Sequence, residues 1–115
     1  MRHDIIITSA DQPTIDTLTT TLEHCGLNLA ILHSPDQATT QVTNPDGQII
    51  LTLTLNSARL VKVDQEPARL VPDALPAPCW WTEAWTTNDP TTGIQILNDF
   101  AIRLNGRCHI LGDLQ

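Results

Sequence analysis

A strand–helix–strand grammar stands at each end of this chain and constrains its fold more than any single residue does. The first unit reads DIIITSADQPTIDTLTTTLEHCGLNLAILHS. Asp4–Ser9 is a short apolar run that predicts a central strand. Pro13 pre-sets φ for a helix start, with Asp11 or Gln12 before it as the cap. Ile15, Leu18, Leu22 and Cys25 then recur three, four and three residues apart, one stripe of a helix. Gly26 follows at the C′ position, where a positive φ costs least. Leu27, Leu29 and Ile31 alternate with Asn28 and Ala30, which predicts a strand with one buried face.

The second unit, DPTTGIQILNDFAIRLNGRCHILGD, repeats the pattern. Asp89 caps, Pro90 takes the first helical position, and Ile94, Leu97, Ala101 and Leu104 repeat the three-four-three spacing. Gly106 is expected to stop that helix, and Arg107–Leu111 to form a last strand. Two such units resemble the halves of a split βαβ, ferredoxin-like sandwich. The expected fold is therefore α+β. It has two layers: one mixed or antiparallel sheet of five to seven strands, with two helices on one face.

Antiparallel material fills the middle. A turn is predicted at Asn44-Pro45-Asp46-Gly47 within a hairpin over residues 38–55. Beyond the turn, Ile49, Leu51, Leu53 and Leu55 face one way, and Ile50, Thr52 and Thr54 the other. ARLVKV is a further short strand. DQEPARLVPDALPAP has four prolines in fifteen residues, so it reads as an ordered crossover with one short turn at Ala68–Val71. It is too short and too apolar for a domain linker. One domain over 1–115 is the expectation.

The crossover leads into CWWTEAWTT, which with Phe100 holds every aromatic residue of the chain. Alternation puts Cys79, Trp81, Glu83 and Trp85 on one face of a strand and Trp80, Thr82, Ala84 and Thr86 on the other. An unpaired buried carboxylate costs several kcal/mol. The face carrying Glu83 is thus assigned away from the helices, with Trp80 beneath them. Trp81, Glu83 and Trp85 become the candidate partner-binding residues, since indoles supply large apolar area with one N–H donor. Three arrangements stay open for this face. The crossover or the hairpin covers it, a homodimer covers it, or it is a surface for a functional partner or ligand.

Charge excludes several partners. The net charge is −7, and the basic residues are dispersed as Arg2, Arg59, Lys62, Arg69, Arg103 and Arg107. No clustered positive footprint exists for nucleic acid or for an anionic membrane surface. No stretch reaches the ~18 apolar residues of a membrane span. MRHDIIITSADQP falls short of a secretory h-region, and Cys25, Cys79 and Cys108 show no paired spacing. Reduced thiols and a cytoplasmic location are expected.

Catalytic and metal chemistry find little to stand on. His3, His24, His33 and His109 lack metal-ligand spacing. A grouping of His33, His109 and Cys108 would need the strands they end to be neighbours, and a solvated or core-satisfied role is the reading preferred for these histidines. Ser9, Ser34 and Ser57 have no nucleophile-elbow setting, and Cys79 has no nearby histidine in sequence. No glycine-rich phosphate loop occurs. The expectation is a non-enzyme with no metal and no cofactor.

PAPCWWTEAWTTNDPTTGIQILNDFAIRLNGRCHIL, PDGQIILTLTLNSARLVKV and the early HD together resemble an uncharacterised actinobacterial domain family. In that family a W-W-x-E strand precedes a helix and a closing strand. The matching residues are Asp46, Gly47, Trp80, Trp81 and Glu83. Thr82 and Ala84 depart from its valines, and Trp85 has no counterpart. The resemblance implies an accessory role beside type VII secretion clusters. The leading expectation is a cytoplasmic protein-interaction module. The alternatives are a toxin-neutralising immunity-type protein and a small-ligand sensor or small enzyme.

Overall fold

The computed structural model describes residues 3–26, 28–33, 39–55, 58–61 and 78–111, the side chains of Arg59 and Val61 excepted. Along these the elements are β1 (His3–Ser9), α1 (Ile15–Cys25), β2 (Ala30–His33), β3 (Thr40–Thr43), β4 (Ile49–Leu53), β5 (Arg59–Val61), β6 (Cys79–Thr86), α2 (Pro90–Arg103) and β7 (Gly106–Leu111). The sheet runs β2-β3-β4-β6-β1-β7, with β5 also paired to β6. Every described pairing is antiparallel. The fold is α+β, an open antiparallel sheet with two helices. The predicted crossover and its turn at Ala68–Val71 lie outside the described residues.

β6 is central. β1 pairs along its whole length, from His3 opposite Thr86 to Ser9 opposite Trp80. β4 and β5 share its other edge, with Leu53 opposite Ala84 and Arg59 opposite Trp81. Six residue steps on that side therefore match three on β6 between these two pairs. Thr54 sits at the break. Its backbone N–H donates to the Glu83 carbonyl at 2.8 Å, and its hydroxyl accepts from the Glu83 N–H at 3.2 Å.

α1 starts two residues later than the proline suggested. Thr14, at φ −134°, is the cap, and its hydroxyl accepts from the Thr17 N–H at 3.2 Å. The predicted caps Asp11 and Gln12 are thereby corrected, because a capping side chain must reach an N–H two or three residues on. Asp11 instead accepts from the Asn105 side-chain amide at 2.8 Å and ties the two strand–helix corners together. The buried stripe is Leu18, Thr21 and Leu22, while Ile15 is exposed. Buried Thr21 satisfies its hydroxyl on the Thr17 carbonyl at 2.8 Å, the i−4 back-bond that lets threonine sit inside a helix. Gly26 ends α1 at φ 69°, as predicted.

α2 is capped by Asp89, which accepts from the Thr92 N–H at 3.3 Å and the Thr92 hydroxyl at 2.6 Å, with Pro90 next. Its buried face is Gly93, Ile96, Leu97, Phe100 and Ala101. Ile94 is only partly buried. A Cβ on Gly93 would lie 2.6 Å from Thr86 Cγ2, so this glycine sets how closely helix and sheet approach. The expectation that Gly106 stops α2 is also corrected. Asn105 takes the left-handed conformation at φ 57°, and Gly106 already belongs to β7, opposite Ser9.

Both helices send their apolar residues to one face of the sheet. Leu18, Leu22, Ile96, Leu97, Phe100 and Leu104 join Ile5, Ile7, Val42, Leu51, Leu53 and Ala84 in one core. Each fully buried Leu, Ile or Phe contributes roughly 1.5–3 kcal/mol by removal from water. The predicted split of β4 holds for Leu51 and Leu53. Ile50 also joins the core, beside a register irregularity between Val42 and Thr43.

Cys108 faces this core from β7, opposite Ile7. Burial pushes its thiol from the ordinary 9.0 up to about 11. The folded chain thus holds this proton more tightly than the unfolded chain does. The stabilisation is complete below pH 9 and is lost as pH rises towards 11. Two units correspond to about 2–3 kcal/mol. The chain has no tyrosine and one lysine, so thiols dominate its titration in that window. Urea midpoints measured from pH 8 to pH 11 should fall steeply in the wild type and much less in Cys108→Ala. Parallel curves for the two proteins would remove Cys108 as the cause.

Candidate functional site: the sheet face away from the helices

The register sorts the tryptophan strand as alternation predicts. Ile5, Ile7 and Ser9 lie opposite Ala84, Thr82 and Trp80, and Ile5, Ile7 and Ala84 belong to the helix-side core. Asp4, Ile6 and Thr8 lie opposite Trp85, Glu83 and Trp81, so these six share the other face. Trp80 is on the helix side but only half-buried, since it pairs with Ser9 and Leu60 at the end of β6.

The three candidate residues do not share one environment. Trp81 is 4% exposed and packs with Ile6 and Cys79 in a second, smaller apolar cluster, with Leu111 against it. Of the three arrangements left open for this face, cover from within the chain is the one found at Trp81, which takes its indole out of the candidate docking surface. Glu83 is exposed and Trp85 half-buried. Glu83 is held by backbone bonds to Thr54, and its carboxylate forms no hydrogen bond or ion pair among the described residues. The candidate docking face contracts to its Glu83–Trp85 end.

One cross-strand row runs through this end and spans six strands: Leu32, Gln41, Thr52, Trp85, Asp4 and Leu111. Directly opposed residues on one face stand with Cβ atoms about 4.5–5.5 Å apart, and diagonal neighbours within about 7–8 Å. Asp4 is directly opposite Trp85 and diagonal to Glu83. A depression of about 200 Å³ opens here, lined by Asp4, Ile5, Ile6, Glu83, Ala84, Trp85 and Leu111. Two carboxylates and an indole thus share one shallow site. Sequence reasoning missed Asp4 and Leu111, because they reach Trp85 only through strand pairing. The missing signal was register.

Other predicted chemistry is dispersed. His33 and His109 lie on β2 and β7, the opposite edges of the strand order, so the strands that carry them are not neighbours. His109 Nε2 lies 2.9 Å from the Thr8 hydroxyl, and His33 Nδ1 lies 3.4 Å from that of Thr40. Among the described residues no three His, Cys, Asp or Glu side chains are grouped to hold a metal ion. No described helix is long and apolar enough to cross a membrane. A depression of about 240 Å³ between α1 and β2, lined by Thr19, Leu22, Glu23, Leu29 and Ile31, has no aromatic wall.

No family model matches the chain, and neither does any curated protein or solved structure. The site's own chemistry must carry the functional reading.

Proposed function

We propose that this chain is a non-enzymatic protein-interaction module, an adaptor or accessory protein, that docks a basic partner on the sheet face beside Glu83 and Trp85. The observation that carries the reading is the half-buried indole of Trp85 next to the Glu83 carboxylate, which has no partner among the described residues, on the face the helices leave alone. A half-buried tryptophan has its position fixed while keeping area to lose to a partner. The net charge of −7 favours fast encounter with a basic surface. The proposal places the module in the cytoplasm. The resemblance through Asp46, Gly47, Trp80, Trp81 and Glu83 supports an accessory role beside type VII secretion.

We also read the architecture as a ferredoxin-like core carrying an inserted β2–β3 hairpin. The order β7-β1-β6-β4 supports this, because it matches the four core strands of such a sandwich once the hairpin is set aside.

A photo-crosslinker at Gln41, on this face, tests the docking reading against one at Ile102, which is 69% exposed on α2. A basic protein is expected to be trapped at Gln41 and not at Ile102. Glu83→Lys is expected to reduce that capture at least about tenfold through like-charge repulsion, with stability changed by no more than about 0.5 kcal/mol. Equal capture by Glu83→Lys would sink the assignment.

A further inference from the structure

The depression beside Trp85 points to the chemistry of what enters it. We propose that it receives one cationic side chain, lysine or arginine, from the partner; this rests on the docking reading above. At about 200 Å³ it is below the roughly 300–1,000 Å³ of small-molecule pockets. One long side chain is the occupant its size suits.

Its walls match such a side chain along its length. Ile6 and Leu111 supply apolar surface for an aliphatic stem. Trp85 offers an indole face, the best aromatic partner for a cation. Asp4 stands directly across from that indole, and Glu83 two residues along the same strand face. A cation over Trp85 would lie within reach of both carboxylates. The Glu83 carboxylate gives up no described partner to take part. Among the described residues no basic side chain lines the depression. The occupant's charge is therefore set by the walls.

Three capped tripeptides serve as probes: Ac-Gly-Arg-Gly-NH2, Ac-Gly-Lys-Gly-NH2 and Ac-Gly-Gln-Gly-NH2, titrated into 15N-labelled protein. The chain has three tryptophans and hence three indole N–H signals, assignable by single Trp→Phe variants. Both basic peptides are expected to shift the Trp85 indole and the amides of Asp4, Glu83 and Leu111, with affinity on the order of millimolar. The neutral peptide should leave those signals in place. Glu83→Gln should weaken the basic peptides about threefold, as loss of one exposed charge contact does. The inference is overturned if the neutral peptide shifts the same signals equally, if the basic peptides act elsewhere or not at all, or if Glu83→Gln changes nothing. Should crosslinking at Gln41 stay sensitive to Glu83→Lys while the peptides fail, the cation site falls and the docking module stands. Loss of both results removes both.

Discussion

Trp81→Ala is expected to lower the free energy of unfolding by about 3–5 kcal/mol, the usual cost of truncating a buried tryptophan. The expectation rests on burial, because the indole is 4% exposed and packs with Ile6 and Cys79. Its place is on the face without helices, so the loss would come from the second cluster and not from the core around Phe100. Urea unfolding of the purified variant reads it directly. Partner capture at Gln41, normalised to folded protein, should change little. Trp85→Ala should behave the opposite way, with about 2 kcal/mol lost from partner binding and a smaller stability cost, since Trp85 is only half-buried. A Trp81→Ala protein as stable as wild type would mean that the second cluster contributes nothing to folding.

That division of labour could not be read from CWWTEAWTT itself. Alternation placed Trp81, Glu83 and Trp85 on one face because a strand has a strict period of two. Alternation is blind to what lies across the strand. Trp81 meets Thr8 and Arg59, whereas Trp85 meets Asp4 and Thr52, and these pairings follow from the order of strands that are distant in sequence. The helices were legible for a related reason. Their stripes, punctuated by Pro13, Gly26, Asp89 and Pro90, are local signals. Errors gathered at the helix ends, where competing local devices stand one or two residues apart. Thr14 outcompeted Asp11 because only its hydroxyl reaches Thr17, and Asn105 took the left-handed position that glycine was expected to fill.

Gly106 packs against β1 instead of stopping α2, and its substitution should be among the most damaging in the chain. A Cβ there would sit 2.7 Å from both Cα and Cβ of Ser9, and nearer still to the Thr8 carbonyl oxygen. These are atoms of β1, a strand fixed on both sides by β6 and β7, so yielding would disturb both pairings. Gly106→Val is expected to cost more than about 3 kcal/mol, the upper end for overpacking. Gly26→Ala provides the contrast. That residue has φ +69° and no atom within 4 Å of a built Cβ, so only backbone strain of about 1–2 kcal/mol applies. Amide exchange separates the two mechanisms. Gly106→Val should expose the β7 amides from Gly106 to Leu111 first, whereas Gly26→Ala should loosen the last turn of α1. If Gly106→Val costs no more than Gly26→Ala, the close approach of β7 to β1 is not what keeps a glycine at this corner.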